Sequence, residues 1–356
     1  MKHPEQTIIE LLKKLVALQP VTANVEQVNA AVDCVRDFLN TAGVYTRVYE
    51  LQGRRILYAA TRETSEVDYL LNTHLDVVPA DEGMFEVTER GDLLLGRGTV
   101  DCLGNSALVA TLLTHLNGRA SVGAIFSTDE EAGGTTTAHM ATQNIRARRL
   151  ITVLDDGAGY AITVAQKGVL NLRLRARGSA CHAAEPWEGD NALDRLIDGY
   201  AKIRALFNEA GADDPWHNTL AATTCTAGTV ANRVPDNAEM TLNIRYIKSD
   251  ERDSIIETLR RTSGLEIDVL MQCPPVNVEP NTPVIEQLRA HLERELNTSI
   301  ALRRLNGATD ARHFAAHSAP VAILGLPGRA PHSNGEALQI APIGPYFAAL
   351  ASFFEP

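Results

Sequence analysis

One change of texture along the chain constrains its fold more than any other feature. Up to about Gly168, short continuous apolar runs (44–51, 55–61, 67–72, 120–127 and 149–154) alternate with stretches of helical period. A continuous apolar run is the mark of a strand covered on both faces, so this half predicts an α/β layer with helices packed on a sheet. Its helices begin with Ile8, Ile9, Leu12, Leu15 and Val16, then 26–42 ending at Gly43, then 105–116 and 136–143. After Gly168 apolar and polar residues alternate singly, the pattern of strands with one face exposed. That stretch reads strand 169–177, helix 191–209, strands 220–229 and 237–247, helix 250–262 and strand 265–271. The order β-α-β-β-α-β is ferredoxin-like. From Pro280 the first texture returns, with a helix at 283–296 and a strand at 321–324. The expectation is one α/β domain built from 1–167 and 279–356, interrupted by an inserted α+β domain at 168–278.

Composition narrows the class of partner. The chain has 356 residues, too many for one ordinary core, and 45% of them are apolar against 22% charged, which excludes disordered and fibrous chains. Its formal charge of −11 gives no general attraction for phosphate backbones or anionic membranes, so neither nucleic acid nor a membrane is an expected partner. The first twenty residues interleave charges with apolar positions, unlike a signal peptide, and no run of about 18 apolar residues is present to span a bilayer. Five scattered cysteines without a CxxC pair argue against a disulfide framework or a thiolate zinc knot. A cytoplasmic location is expected.

Polar residues of metal-binding type gather where the apolar strands stop. HLDVVP (74–79) places His74 and Asp76 two apart, hence on one side of an extended chain, where the carboxylate can fix the tautomer of the imidazole. GRGTVDCLG (96–104) is a glycine-rich turn before a helix, and STDEEAGG (127–134), LDDG (154–157) and PHSNGE (331–336) follow. Two histidines and several carboxylates without thiolates suit Zn²⁺, Mn²⁺ or Co²⁺ in a nitrogen and oxygen site. Adjacent glutamates point in different directions, so one of Glu130 and Glu131 can bind metal while the other faces substrate.

In that order, and with QKGVL, GSACHAAEP, ANRVPD and GATDAR, these motifs resemble the acetylornithine deacetylase, succinyl-diaminopimelate desuccinylase, aminoacylase and glutamate carboxypeptidase family of dinuclear zinc hydrolases. The resemblance implies a zinc-exopeptidase-like catalytic domain with a central mixed sheet and an inserted ferredoxin-like dimerisation or lid domain. It implies two divalent ions per chain, most readily zinc, with cobalt or manganese as alternatives. His74 and Asp156 would hold one and Glu131 and His332 the other, with Asp101 between them. Asp156 stands eleven residues before Lys167, the family's spacing, and Asp155 is the alternative. Glu130 would act as general base on the attacking water, and Asp76 would support His74. The resemblance also implies a cis peptide at Asp101–Cys102.

In the inserted domain, His182 would polarise the scissile carbonyl, and Asn232 and Arg245 would hold a substrate carboxylate. Gly307, Thr309 and Arg312 would line the same pocket. The implied reaction is hydrolysis of an N-acyl amino acid, with a dipeptidase or carboxypeptidase as the alternative. From another class, a metal-free relative would bind amino acids without cleaving them. A homodimer is expected, in which His182 of one chain serves the site of its mate, with hinges near Gly168 and Pro274-Pro275.

Overall fold

The structure is a computed structural model and describes residues 3–157, 159–207, 211 and 213–355. The chain divides into two units. The first comprises the residues up to Val164, Val278–Arg303 and those from Thr309 on; the second comprises Ala165–Asn277 and Arg304–Ala308. The short Arg304–Ala308 segment, which the sequence pattern gives to the first domain, therefore groups with the second unit.

The first unit is built on a mixed sheet. Seven of its strands run in the spatial order Tyr45–Leu51, Arg54–Ala60, Val122–Ser127, Glu66–His74, Arg146–Leu154, Val321–Leu324 and Ala161–Gln166. Glu66–His74 pairs in parallel with Val122–Ser127 and Arg146–Leu154, and Arg146–Leu154 in parallel with Val321–Leu324. In register His74 lies opposite Ser127, and Leu154 opposite Leu324, so these four strands end along one edge. In open α/β sheets that carboxyl edge is where ligands bind.

The helix Leu103–Leu116 explains why the sheet is covered so completely. It carries apolar or small residues on every side and packs on two strands and on the helices Pro4–Ala17, Val25–Thr41 and Ile343–Phe354. A helix apolar all round belongs inside a protein. Each fully buried leucine on it, such as Leu108 or Leu112, stabilises the fold by about 1.5–3 kcal/mol relative to exposure. Capping sets the ends of its neighbours. Asn24 accepts from the Gln27 N–H, and Gly43, at φ +70°, follows the helix Val25–Thr41.

The second unit has the β-α-β-β-α-β order, with helices Ala192–Arg204 and Arg252–Ser263. Its sheet runs Thr219–Ala227, Asn237–Tyr246, Gly168–Arg177, Glu266–Cys273, antiparallel throughout. Leu170, Leu172, Leu174 and Ala176, with Ala238, Leu242 and Ile244, bury one face against Leu196, Ile203 and Leu259 of the helices. The other face carries ion pairs, among them Arg175 to Glu239 at 3.1 Å and to Asp268 at 2.8 Å. Alternation in the sequence is thus alternation of burial in the sheet. No helix among the described residues is long and apolar enough to cross a membrane.

Candidate metal centre

Each polar group of the cluster is delivered by the end of a strand or the turn after it. His74 is the last residue of Glu66–His74, Glu130 and Glu131 form a short turn after Val122–Ser127, and Asp155 follows Arg146–Leu154. Asp101 ends the glycine-rich turn before the buried helix, and His332 sits on the loop between two short strands, Gly328–Arg329 and Ala337–Gln339. The Asp101–Cys102 peptide is cis.

Asp101 sits between two imidazoles. Its Oδ1 is 3.0 Å from His74 Nε2 and its Oδ2 is 3.0 Å from His332 Nε2. Asp155 Oδ1 lies 3.4 Å from His74 Nε2, and Glu131 Oε1 lies 3.1 Å from His332 Nε2. On its far side His74 Nδ1 donates to the Asp76 carbonyl at 2.9 Å, which turns Nε2 toward the carboxylates. The Asp76 carboxylate is 3.4 Å from that Nδ1 and accepts from the Glu130 and Glu131 N–H groups and the Thr22 hydroxyl. Asp76 therefore fixes the Glu130–Glu131 turn as much as it supports the histidine.

Burial and mutual contact shift the charges of the cluster. Burial pushes the Glu131 carboxyl up to about 7 and that of Asp155 up to about 6. Burial, with Asp310 and Asp155 nearby, raises Glu130 well above its ordinary value, against the pull of His74 and Arg312. Burial opposes a charge on Asp101, but hydrogen bonds from His332 and His74 hold its pKa below the usual carboxylate range. Contact with Asp101 raises His332 to about 9. Several carboxylates thus crowd against the edges of two imidazoles. A divalent cation is the charge that such a nitrogen and oxygen donor set fits. The donors fall into two groups, one with His74, Asp155 and the Cys102 sulfur, the other with Asp101, Glu131 and His332. Burial raises the Cys102 thiol to about 11, and its sulfur hydrogen-bonds the Thr73 hydroxyl and faces the Leu154 carbonyl.

The sequence profile of Peptidase family M20/M25/M40 matches residues 70–355. The chain belongs to that family. It is 22% identical over 357 residues to a probable succinyl-diaminopimelate desuccinylase of Staphylococcus aureus, covering 87% of this chain and 86% of that protein. The aminopeptidase PepT from Bacillus cereus has the same fold, at a TM-score of 0.80 and 18% identity over 98% of both chains. So does an M20 family metallo-carboxypeptidase from Sulfolobus solfataricus, at a TM-score of 0.77 and 16% identity over 98% of both chains. As a member of family M20/M25/M40 the chain is a metal-dependent hydrolase of amide bonds.

Of the residues that the sequence singles out for this M20 chain, the two adjacent aspartates have different partners. Asp156, expected beside His74, accepts a hydrogen bond from the Thr163 hydroxyl at 2.9 Å, and Asp155, the alternative, faces His74 at 3.4 Å. Both aspartate N–H groups donate to the Leu324 carbonyl, at 2.8 and 3.0 Å. This pinches the chain after the strand and sends the two side chains to opposite sides. Gly325 makes room for the pinch, since a Cβ there would overlap the Asp156 carbonyl oxygen. Thr309 lies in the first unit and caps the Asp310–Phe314 turn, its hydroxyl accepting from the Ala311 N–H at 3.2 Å. His182, Asn232, Arg245 and Gly307 belong to the second unit. There His182 Nδ1 accepts from the Ala184 N–H, and the Asn232 carbonyl accepts from the Ala183 N–H. Arg245 lines a cavity of about 360 Å³ with Lys167, Asn243 and Asn306, and its Nε donates to Asn243.

Two groups that the sequence reading leaves without a role stand out. Glu336 is fully buried, pairs with buried Arg97, and accepts the N–H groups of Val100 and Asp101 at 3.1 and 3.2 Å. It ties the His332 loop to the Asp101 turn. The signal was present in PHSNGE, where a glutamate follows a glycine in an otherwise exposed turn. Asp310 is the second, buried behind Glu130 with Arg312.

Proposed function

We propose that this chain hydrolyses N-acyl amino acids, with two divalent ions, zinc first among them, held by the Asp101-centred cluster. The observation that carries the reading is Asp101 presenting one oxygen to each histidine, with Glu130 on the neighbouring turn. His74 and Asp155 would hold one ion, Glu131 and His332 the other, with Asp101 shared. Ions bound there supply Lewis-acid polarisation of the carbonyl and a lowered pKa for the attacking water. Glu130 takes the proton of that water and returns it to the leaving amine, the two duties of a single acid–base group.

A substrate carboxylate would be held by Arg245, which lines a cavity with Lys167, and by Asn232. The desuccinylase named above supports an N-acyl rather than a peptide substrate. His182 completes the reading, polarising the scissile carbonyl from the partner copy in a homodimer. The test is metal analysis followed by hydrolysis of N-acetyl amino acids, N-succinyl amino acids and dipeptides by the metal-loaded protein. Preference for either N-acyl class supports the proposal; preference for dipeptides replaces it with a peptidase. Full activity in protein stripped of metal would overturn the role of the cluster.

A further inference from the structure

Behind the Glu130 turn lies a buried chain of charged groups that the reaction as described does not use. Asp310 is 1% exposed and accepts hydrogen bonds at Oδ2 from Ser127 Oγ, at 2.9 Å, and from the Thr137 hydroxyl. Its Oδ1 faces His313 Nε2 at 3.6 Å and Arg312 Nη2 at 3.8 Å. Arg312 Nε donates to His313 Nε2 at 3.2 Å, and Arg312 Nη1 donates to Glu130 Oε1 at 3.3 Å. The guanidinium thus donates to His313 and to Glu130 from two different nitrogens of one rigid planar fork, with Asp310 at ion-pair distance from the third.

The Glu130 segment is itself cut to admit this arrangement. Gly134, at φ +68°, stands where a Cβ would overlap Asp310 Oδ1 and lie 2.7 Å from His313 Nε2 and 3.1 Å from Arg312 Nη2. The segment that carries the base and the segment that carries the arginine therefore fit each other only with glycine at this point.

We propose that Arg312 is the positioning residue of the general base: held by its hydrogen bond to His313 and facing Asp310, its guanidinium holds the Glu130 carboxylate in the orientation for proton transfer. The assignment rests on Glu130 acting as the base. Proton transfer needs the base within hydrogen-bond reach of the proton, and a misplacement of about 1 Å costs on the order of 10²-fold.

The experiment is a double-mutant cycle on the metal-loaded full chain, measuring kcat, KM and metal content for R312M, R312K, E130Q and the combined variants. R312M is expected to keep its metal, lower kcat on the order of 10- to 100-fold and change KM little. In the E130Q background, where a glutamine of the same shape has no proton to move, R312M should cost less than about twofold, a strongly non-additive cycle. An equal loss in both backgrounds would overturn the proposal, as would a rise in KM with kcat unchanged, which marks substrate binding. Should R312M fail to fold, the cycle of R312K with E130Q is read by the same criteria. If E130Q alone keeps near-normal kcat, Glu130 is not the base and the proposal falls with that assignment. An additive cycle in which E130Q is itself inactive removes Arg312 alone.

Discussion

Two adjacent aspartates carry the sharpest test of the cluster. Asp155→Asn is expected to weaken metal binding and to cut activity by at least about tenfold, whereas Asp156→Asn, facing Thr163, should keep its metal. Metal titration of both variants by calorimetry decides between them, and the reverse order would restore Asp156 as the ligand. Glu130→Gln should leave metal content intact and reduce kcat on the order of 10²–10⁴-fold, as measured by steady-state kinetics. At this scale the motifs that the structure brings together at His74, Asp101, Glu131 and His332 were legible, each at a strand end or in the turn or loop that follows one. The choice between Asp155 and Asp156 was not legible. It depends on both N–H groups converging on Leu324, some 170 residues away, and no count along the chain registers that pinch. The Thr22 hydroxyl on Asp76 was hidden for the same reason.

Among the elements, the turn bearing Asp101 and the loop bearing His332 meet at the buried pair of Arg97 and Glu336. Removing one partner of such a pair leaves an unpaired charge in the interior, which costs about 3–5 kcal/mol. Glu336→Ala should lower unfolding stability by that amount in urea denaturation and weaken metal binding as well, because two backbone N–H groups next to Asp101 lose their acceptor. Unchanged stability would mean that the pair is not closed in solution. Most strands and helices could be read from periodicity, but the strands Ala161–Gln166 and Ala301–Leu305 went unread, and two further kinds of element left no pattern. The helix Ile343–Phe354 holds Pro345 in its first turn and apolar residues nearly throughout, so no helical stripe stands out. The strands Thr88–Arg90, Leu93–Leu95, Gly328–Arg329 and Ala337–Gln339 are too short for alternation to register, though together they form a sheet of their own.

For the molecule as a whole, the cluster links stability to pH and metal together. In metal-free protein His332, Glu131 and Asp155 have pKa values raised to about 9, 7 and 6. The folded chain then binds more protons than the unfolded one, so the stability these groups contribute is present at low pH and is lost as pH rises through their folded values. Asp101 has the opposite shift and acts only at more acid pH. Bound cations displace those protons, so the stability gained on adding zinc should widen from about pH 5 to about pH 9. Urea melts with chelator and with zinc across that span check this, and a gap that narrows would refute it. Assembly belongs to the same scale. The edge strand Thr219–Ala227 is exposed, uncharged and free of proline, features that invite a second strand. Mixing His182→Ala with Glu130→Ala, each inactive alone, should restore part of the activity if two copies share sites. Labelled chains that exchange without any return of activity would exclude sharing.

The position of Val321–Leu324 has a consequence for synthesis. This strand lies between Arg146–Leu154 and Ala161–Gln166, so the central sheet keeps a slot open until the ribosome delivers residues about 155 places beyond the second of them. At about 5–20 residues per second the wait lasts roughly 8–30 s. Nearly all of the second unit emerges inside that interval with its own apolar face already complete. The nascent chain should therefore finish its insert first, while the older half stands with unpaired strand edges, the stage at which a chaperone or a wrong neighbour would find it.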